Sequence, residues 1–208
     1  MLCCCKEDLK SIEIILGSSS PRRKELLQNI GVPFTIVSPD VEENLRFENF
    51  KSVPAYVEAL AKIKADAVTN IMPACQHNRL VIAADTLICF EGNIFGKPSG
   101  CSSAMDMLSR LSGNMHQVIT GVCLNWTVSG RQHKVDLFHE VTNVKMAILD
   151  IHTIEEYIRS GEPMDKAGAY GIQGLGSSLM RRSMGITSML LACLFIVYAS
   201  TCELDVRK

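Results

Sequence analysis

A phosphate-binding segment is predicted where the first apolar run of the chain ends. Ser18 follows a strand predicted at Glu13–Gly17, and Arg22 and Arg23 stand in the first turn of a helix predicted from Pro21. Helix N-termini carry free N–H groups and a partial positive charge, which favour a bound anion. Two arginines there oppose that charge unless an anion compensates them, and arginine binds phosphate through paired N–H groups. The alternative is a capped helix with two solvated arginines.

Two charged residues stand where apolar residues are expected. Asp85 interrupts Leu80–Phe90, a run apolar enough for a strand buried on both faces. Lys64 falls on the apolar side of a helix predicted from Pro54 to about Asn70. A buried carboxylate carries a large desolvation cost unless it has a partner, a metal or a catalytic task. The alternatives are a carboxylate that caps a loop at a strand end and a lysine that extends to water.

Three further segments add polar groups to this set. Glu43 lies in an acidic loop, Lys97 lies in a tight turn, and Gln173 lies in the glycine-rich and charged segment Gly161–Gly174. For the first two, a solvated acidic turn and a plain surface turn are the alternatives. Mg²⁺ typically uses one or two carboxylates together with substrate phosphates and water. Four cations and two carboxylates therefore predict a site for a polyphosphate and a divalent metal: Arg22, Arg23, Lys64, Lys97, Glu43 and Asp85.

The composition limits the classes of protein to which the chain can belong. Its 208 residues suit one medium domain or two small lobes, and 21 Lys+Arg against 22 Asp+Glu exclude a generally basic nucleic-acid binder. The nine cysteines form no Cys-x-x-Cys pair, and charges from Lys6 onward interrupt any signal peptide, so a reducing, cytoplasmic location is expected. The cluster Cys3–Cys5 is expected to have no structural role, with acylation or a soft metal as the alternatives.

The order of the predicted elements indicates an α/β or α+β protein with a mixed sheet. Besides the elements above, the pattern predicts a helix over about Ser102–Leu111 and long strands at about His116–Val128 and Lys134–Ile148. A fourth helix is predicted to begin with a capping box at Thr153–Glu156. The sequence contains no internal repeat and no segment typical of a domain linker.

Together these motifs resemble the Maf family of nucleoside triphosphate pyrophosphatases. They occur in the family's order and extend over most of the chain, roughly Ile14–Leu179. Six segments carry the resemblance: Ser18–Leu27 (S-S-S-P-R-R-K-E-L-L), Val41–Glu43, Ala84–Thr86, Gly96–Pro98, Leu111–Val122 and Gly161–Gly174.

The resemblance implies a fold shared with inosine triphosphatase-type house-cleaning enzymes: an elongated α/β protein, often homodimeric, whose mixed sheet has flanking helices and a central cleft between two lobes. It implies hydrolysis of a nucleoside triphosphate to the monophosphate and pyrophosphate. Asp85 is similar to the family's proton acceptor, which activates water, and Glu43 to its metal-binding companion. The metal is then Mg²⁺, with Mn²⁺ or Co²⁺ as alternatives. Four residues resemble the groups that hold the triphosphate: Ser18, Arg23, Lys64 and Lys97, of which the two lysines are also placed in the catalytic set.

Substrate choice is also predicted from the resemblance. Family subgroups differ at three positions, which are occupied here by Arg22, Thr86 and Gln173. This combination is similar to the subgroup that hydrolyses dTTP and UTP, and modified pyrimidine nucleotides are further candidate substrates. The carboxamide of Gln173 can pair with a pyrimidine edge through both a donor and an acceptor.

The C-terminal part departs from the family pattern. After Gly174 the family usually continues to a Gly-Asp-Tyr run and an Asn-Val-x-Gly-Leu-Pro segment, which are absent here. The sequence therefore predicts an extension at 1–12, the enzyme domain at 13–182 and a divergent hydrophobic tail at 183–208. The alternatives are a catalytically impaired nucleotide-binding variant and a tail-anchored membrane form. The uninterrupted apolar run Met189–Ala199 is short for a membrane span, so no membrane association is expected.

Overall fold

The computed structural model describes residues 12–31, 33–74, 76–128 and 131–184. Within these residues the chain forms one mixed sheet of seven strands, together with four α-helices. The strands are β1 (Glu13–Gly17), β2 (Thr35–Ile36), β3 (Arg79–Phe90), β4 (Asn93–Phe95), β5 (Met115–Val128), β6 (Arg131–Met146) and β7 (Met180–Met184). The helices are α1 (Pro21–Ile30), α2 (Val53–Ile71), α3 (Cys101–Leu111) and α4 (Ile151–Arg159).

The sheet combines parallel and antiparallel neighbours. Its order is β2-β1-β3-β5-β6-β7, and β4 pairs with β3 outside this path. The strand β1 runs parallel to both β2 and β3, whereas β4 is antiparallel to β3 and β7 is antiparallel to β6. The predicted α/β class with a mixed sheet and flanking helices is confirmed.

The described residues divide into two compact units. One contains the residues up to Asp85 together with Gly121–His139, and the other contains Thr86–Thr120 and residues 140–184. Each unit has its own hydrophobic core, and no residue belongs to both cores. This division differs in kind from the predicted one, which separates an N-terminal extension, an enzyme domain and a tail after residues 12 and 182. Those two boundaries stay predictions.

Alternation along the strands builds the core of the first unit. Ile14 and Leu16 of β1 face one side of the sheet, where they pack with Trp126 of β5, while Ile15 faces the other side. Residues next to each other in a strand point to opposite faces, and both faces are covered here. This double burial explains why β1 and the first half of β3 are continuous apolar runs rather than alternating ones.

The helix α2 covers the second face of this unit. Its N-cap is Ser52, whose hydroxyl accepts the N–H of Ala55 at 3.4 Å, and Pro54 lies in the first turn. Proline is favoured there because N–H groups in the first turn have no acceptor within the helix, so proline gives up no hydrogen bond. The buried stripe confirms the face predicted from the sequence: Val57, Leu60, Ala61, Ala65 and Val68.

Gly121 of β5 allows a close approach of this strand to α2. A Cβ at this position would lie 2.5 Å from the carbonyl oxygen of Val57 and 2.6 Å from the amide nitrogen of Glu58. Both atoms belong to the backbone of α2, so no side-chain rotation can relieve the overlap. The glycine therefore sets the distance between β5 and α2.

Gly121→Ala is expected to lower the free energy of unfolding by about 1–3 kcal/mol, because the added methyl group must push α2 away from the sheet. Chemical denaturation monitored by circular dichroism measures this loss. Gly100→Ala is the matched control, since a Cβ at Gly100 meets no atom within 4 Å and the backbone there is extended. Equal stability of the two variants would contradict the role given to Gly121.

The second unit is built around residues from α3, α4 and the strands beside them. Its core includes Ile88, Leu108, Leu111 and Ile154. The predicted capping box at the start of α4 is wrong. The N-cap is Asp150, whose carboxylate accepts the N–H of Thr153 at 2.8 Å, so Thr153 lies inside the first turn. Aspartate is among the preferred N-cap residues.

Several sequence predictions fall on residues outside the described ranges. These are the cluster Cys3–Cys5 and all but the first two residues of the divergent hydrophobic tail predicted at 183–208. Across the ranges that the structure does describe, no helix combines the length and the apolar character needed to cross a membrane.

Candidate active site

The parallel pairing of β1 and β3 places two predicted site segments side by side. Gly17 at the end of β1 is in register with Ala83 of β3. The strand β3 continues in the same direction past the end of β1, so the loop after β1 starts beside Ala84 and Asp85. The sheet register, rather than any local motif, brings these segments together.

Arg23 fastens the loop after β1 to β3. Its Nη1 donates to the hydroxyl oxygen of Ser18 at 3.2 Å and to the carbonyl oxygen of Ala84 at 2.8 Å. The same Ser18 oxygen accepts the N–H of Ser20 at 3.2 Å, and Ser18 is buried. Ser20 precedes α1 but makes no side-chain cap of its own. The guanidinium is therefore held next to Asp85 by fixed partners.

Lys64 joins the two predicted carboxylates into one network. Its Nζ donates to Oδ1 of Asp85 and lies 2.9 Å from Oε1 of Glu43. The side chains of Lys64 and Asp85 are only 13% and 14% exposed, whereas that of Glu43 is 45% exposed. One ammonium group thus forms ion pairs with two carboxylates. The site is partly shielded from water, and charge interactions there are stronger than in water. This arrangement explains why a lysine stands on the apolar side of α2.

An aromatic cluster anchors the loop that carries Glu43. The ring of Tyr56 on α2 lies 5.6 Å from the ring of Phe47 and 5.3 Å from that of Phe50. Its hydroxyl donates to the carbonyl oxygen of Leu45 at 3.2 Å. Burial, followed by the negative charges of nearby carboxylates including Asp85 and Glu43, raises the pKa of Tyr56.

Sequence reasoning missed Tyr56 as a positioning residue. The loop between β2 and α2 was predicted to be polar and acidic, which is correct for most of its residues. The available signal was the grouping of Phe47, Phe50 and Tyr56 within one short stretch that spans the predicted start of the helix. Aromatic side chains so close together are typical of a packed contact.

Two of the remaining predicted site residues are chain neighbours of Arg23 and Asp85. Arg22 is half-buried in the first turn of α1, next to Arg23. Thr86 follows Asp85 on β3, and its hydroxyl donates to the hydroxyl oxygen of Thr120 at 3.1 Å. The substrate-selecting roles of Arg22 and Thr86 stay predictions.

The other two belong to loops of the second unit. Lys97 is exposed in the turn after β4, where the carbonyl of its neighbour Gly96 accepts the N–H of Gly168 at 2.9 Å. Gln173 is half-buried and directly precedes a 3₁₀ helix, Gly174–Leu179. The structure therefore brings five of the predicted residues together in two bonded groups that meet at the neighbours Ala84 and Asp85 of β3. We call these five the charged network: Ser18, Arg23, Glu43, Lys64 and Asp85.

The sequence motifs agree with the comparisons to known proteins. A family model described as Maf-like protein matches residues 13–190. The chain belongs to this family. The charged network of this Maf-like chain lies entirely within the matched residues.

Curated relatives match the Maf-like chain over most of its length. A dTTP/UTP pyrophosphatase of Symbiobacterium thermophilum is 44% identical over 173 residues, which cover 83% of this chain and 84% of that protein. A protein of the same name from Bacillus cereus is 42% identical over 180 residues, covering 86% and 83%. Among solved structures, a dITP/XTP pyrophosphatase from Mycobacterium abscessus is similar with a TM-score of 0.36 and 16% identity, over 66% of this chain and 75% of that one.

The carboxylates of the charged network limit the kind of metal that the Maf-like chain could hold. Glu43 and Asp85 offer carboxylate oxygens only, and the described residues contain no group of three or more His, Cys, Asp or Glu side chains suited to a metal. Zinc sites usually need three or four protein ligands, mostly nitrogen or sulfur. A Mg²⁺ ion that takes its other ligands from phosphates and water fits the two carboxylates.

Proposed function

We propose that this chain hydrolyses the pyrimidine nucleoside triphosphates dTTP and UTP, and modified pyrimidine nucleotides of the same kind, to the monophosphate and pyrophosphate. The observation that carries the proposal is the position of Lys64 between Glu43 and Asp85, beside the anchored guanidinium of Arg23. Two cations and a helix start suit a polyphosphate, and a shielded carboxylate suits a base. The names of the curated relatives support the same activity.

In the proposed mechanism, cations of the chain hold the triphosphate. Arg23 is preorganised by Ser18 and by the carbonyl of Ala84, so little conformational freedom is lost when it contacts phosphate. Lys64 supplies a second positive charge, which comes from α2, whereas Arg23 lies on α1. The family resemblance assigns a third positive charge to Lys97.

The proton transfer is assigned to Asp85. A water molecule forms a new bond from its oxygen to the α-phosphorus and gives one proton to an Asp85 carboxylate oxygen. The bond from the α-phosphorus to the bridging oxygen breaks, and its electron pair leaves with that oxygen on the pyrophosphate. Glu43 and Asp85 would hold the Mg²⁺, Mn²⁺ or Co²⁺ ion, which when bound neutralises phosphate charge.

Base recognition is assigned to Arg22, Thr86 and Gln173. The proposal also includes a homodimer, which rests on the family resemblance alone, and a cytoplasmic location, which rests on the cysteine pattern and on the charges from Lys6 onward. Analytical ultracentrifugation tests the first, and cell fractionation tests the second.

We expect pyrophosphate release from dTTP and UTP in the presence of Mg²⁺, with purine triphosphates and 7-methyl-GTP turned over at least about tenfold more slowly, which is about 1.4 kcal/mol of selectivity. A coupled pyrophosphate assay across these substrates, with Mg²⁺, Mn²⁺, Co²⁺ or EDTA, measures both selectivity and metal dependence. A rise in melting temperature with dTTP but no pyrophosphate release would overturn the hydrolytic proposal and favour a nucleotide-binding protein.

A further inference from the structure

The carboxylate of Glu162 accepts three hydrogen bonds, two from the segment that follows Gln173 and one from Tyr157 on α4. Its Oε1 accepts the N–H of Gly176 at 3.0 Å and the hydroxyl proton of Tyr157 at 3.0 Å. Its Oε2 accepts the N–H of Leu175 at 2.9 Å. Both backbone donors belong to the first turn of the 3₁₀ helix Gly174–Leu179, where N–H groups have no partner within the helix. One carboxylate therefore satisfies the start of this turn.

The segment between Gly171 and Gly176 has little freedom to move away from this carboxylate. Gly174 has φ +76°, and a Cβ there would lie 2.7 Å from Oε2 of Glu162. A Cβ on Gly176 would lie 2.4 Å from the carbonyl oxygen of Gly171 and 2.6 Å from the hydroxyl oxygen of Tyr157. Gln173 lies within this segment, between the close approach of Gly176 to Gly171 on one side and the turn held by Glu162 on the other.

The charge on Glu162 strengthens these bonds. Burial acts to raise its pKa, but the N–H groups of Gly176 and Leu175, the hydroxyl of Tyr157 and the charge of Lys166 together leave the pKa lowered. Lys166 is itself buried, and its ammonium donates to the backbone carbonyl of Glu162 and to Oδ1 of Asp165. Hydrogen bonds to a charged acceptor are about twice as strong as neutral ones.

We propose that Glu162 is a positioning residue for substrate selection, which holds Gln173 in the geometry needed to pair with a pyrimidine base. The inference rests on the role given to Gln173 in the proposed function. Glu162 does not need to touch the substrate, because it acts through the backbone of the turn that begins at Gln173. The segment Gly161–Gly174 thus supplies both the selecting amide and the carboxylate that supports it.

Glu162→Gln is the test, because its amide nitrogen replaces one acceptor oxygen and cannot accept the backbone N–H that it faces, that of Leu175 or that of Gly176 according to the orientation of the amide. The ratio of kcat/KM for dTTP to that for dATP is expected to fall about tenfold or more, as expected for one misplaced hydrogen bond to the base. The loss should appear mainly as a higher KM for dTTP, with kcat changed less. Glu156→Gln, on the exposed face of α4, is the matched control and should leave the ratio unchanged.

Tyr157→Phe supplies a second variant that keeps both backbone bonds of Glu162. It should shift the same ratio in the same direction by a smaller factor, and it remains informative if Glu162→Gln does not fold. Lower thermal stability with an unchanged ratio in both variants would overturn the positioning role and leave the proposed function standing. No dTTP turnover by the unaltered chain would overturn the proposed function, and this inference with it.

Discussion

Replacing Asp85 by asparagine should reduce pyrophosphate release from dTTP by a factor of about 10²–10⁴, the usual contribution of a positioned general base. Asparagine has nearly the same shape, and its carbonyl oxygen can still accept a hydrogen bond from Lys64. It cannot take a proton from water, and it removes one of the two negative charges that share the ammonium. Steady-state kinetics with saturating dTTP, together with a circular dichroism spectrum, separates lost chemistry from lost folding.

Asp66→Asn is the matched control for this substitution. Asp66 also pairs with a lysine, Lys62, but its side chain is 35% exposed and lies outside the charged network. We expect its activity to remain within about twofold of the unaltered chain, since exposed ion pairs contribute little. If the two asparagine variants turned over dTTP equally well, Asp85 would not be the proton acceptor.

Lys64→Met should have the second-largest effect, because it removes the only cation that the network places between Glu43 and Asp85. Methionine fills similar volume on the apolar side of α2, so packing is largely kept. The two carboxylates would then repel each other without compensation, and a phosphate would lose one of its partners. We expect at least about 10²-fold lower kcat/KM for dTTP and a loss of about 1–3 kcal/mol in the free energy of unfolding.

The same helix provides a control for the lysine. Lys62 lies two residues earlier, is 43% exposed and pairs with Asp66 one turn away. Such pairs on a helix surface stabilise by about 0.2–0.5 kcal/mol, so Lys62→Met should alter urea denaturation only slightly and leave kinetics intact. A similar loss of activity in both methionine variants would show that α2 needs its overall charge, not a cation between the carboxylates.

The sequence was informative wherever a residue conflicted with its local pattern. Asp85 in an apolar strand and Lys64 on an apolar helix face each indicated a partner, because an unpaired buried charge is too costly to keep. The structure pairs them with each other. The bounds of α2 and β3 followed from periodicity and agree within about one residue at each predicted end.

Contacts to backbone atoms were beyond sequence reasoning. The bond from Arg23 to the carbonyl of Ala84, and those from Glu162 to the N–H groups of Leu175 and Gly176, join groups that every residue type shares. Residue spacing carries no signal for them until the chain path is known. The capping residue Asp150 was missed because the Thr-x-x-Glu pattern that begins three residues later is also typical of a helix start.

The unequal exposure within the charged network gives its two carboxylates different access to solvent. Nearly half of the Glu43 side chain faces water, whereas the side chains of Lys64 and Asp85 are largely shielded. Glu43 therefore occupies the outer position of the network and Asp85 the inner one. Added salt should weaken the contact of Lys64 with Glu43 more than its contact with Asp85, because exposed charges are screened more strongly than shielded ones.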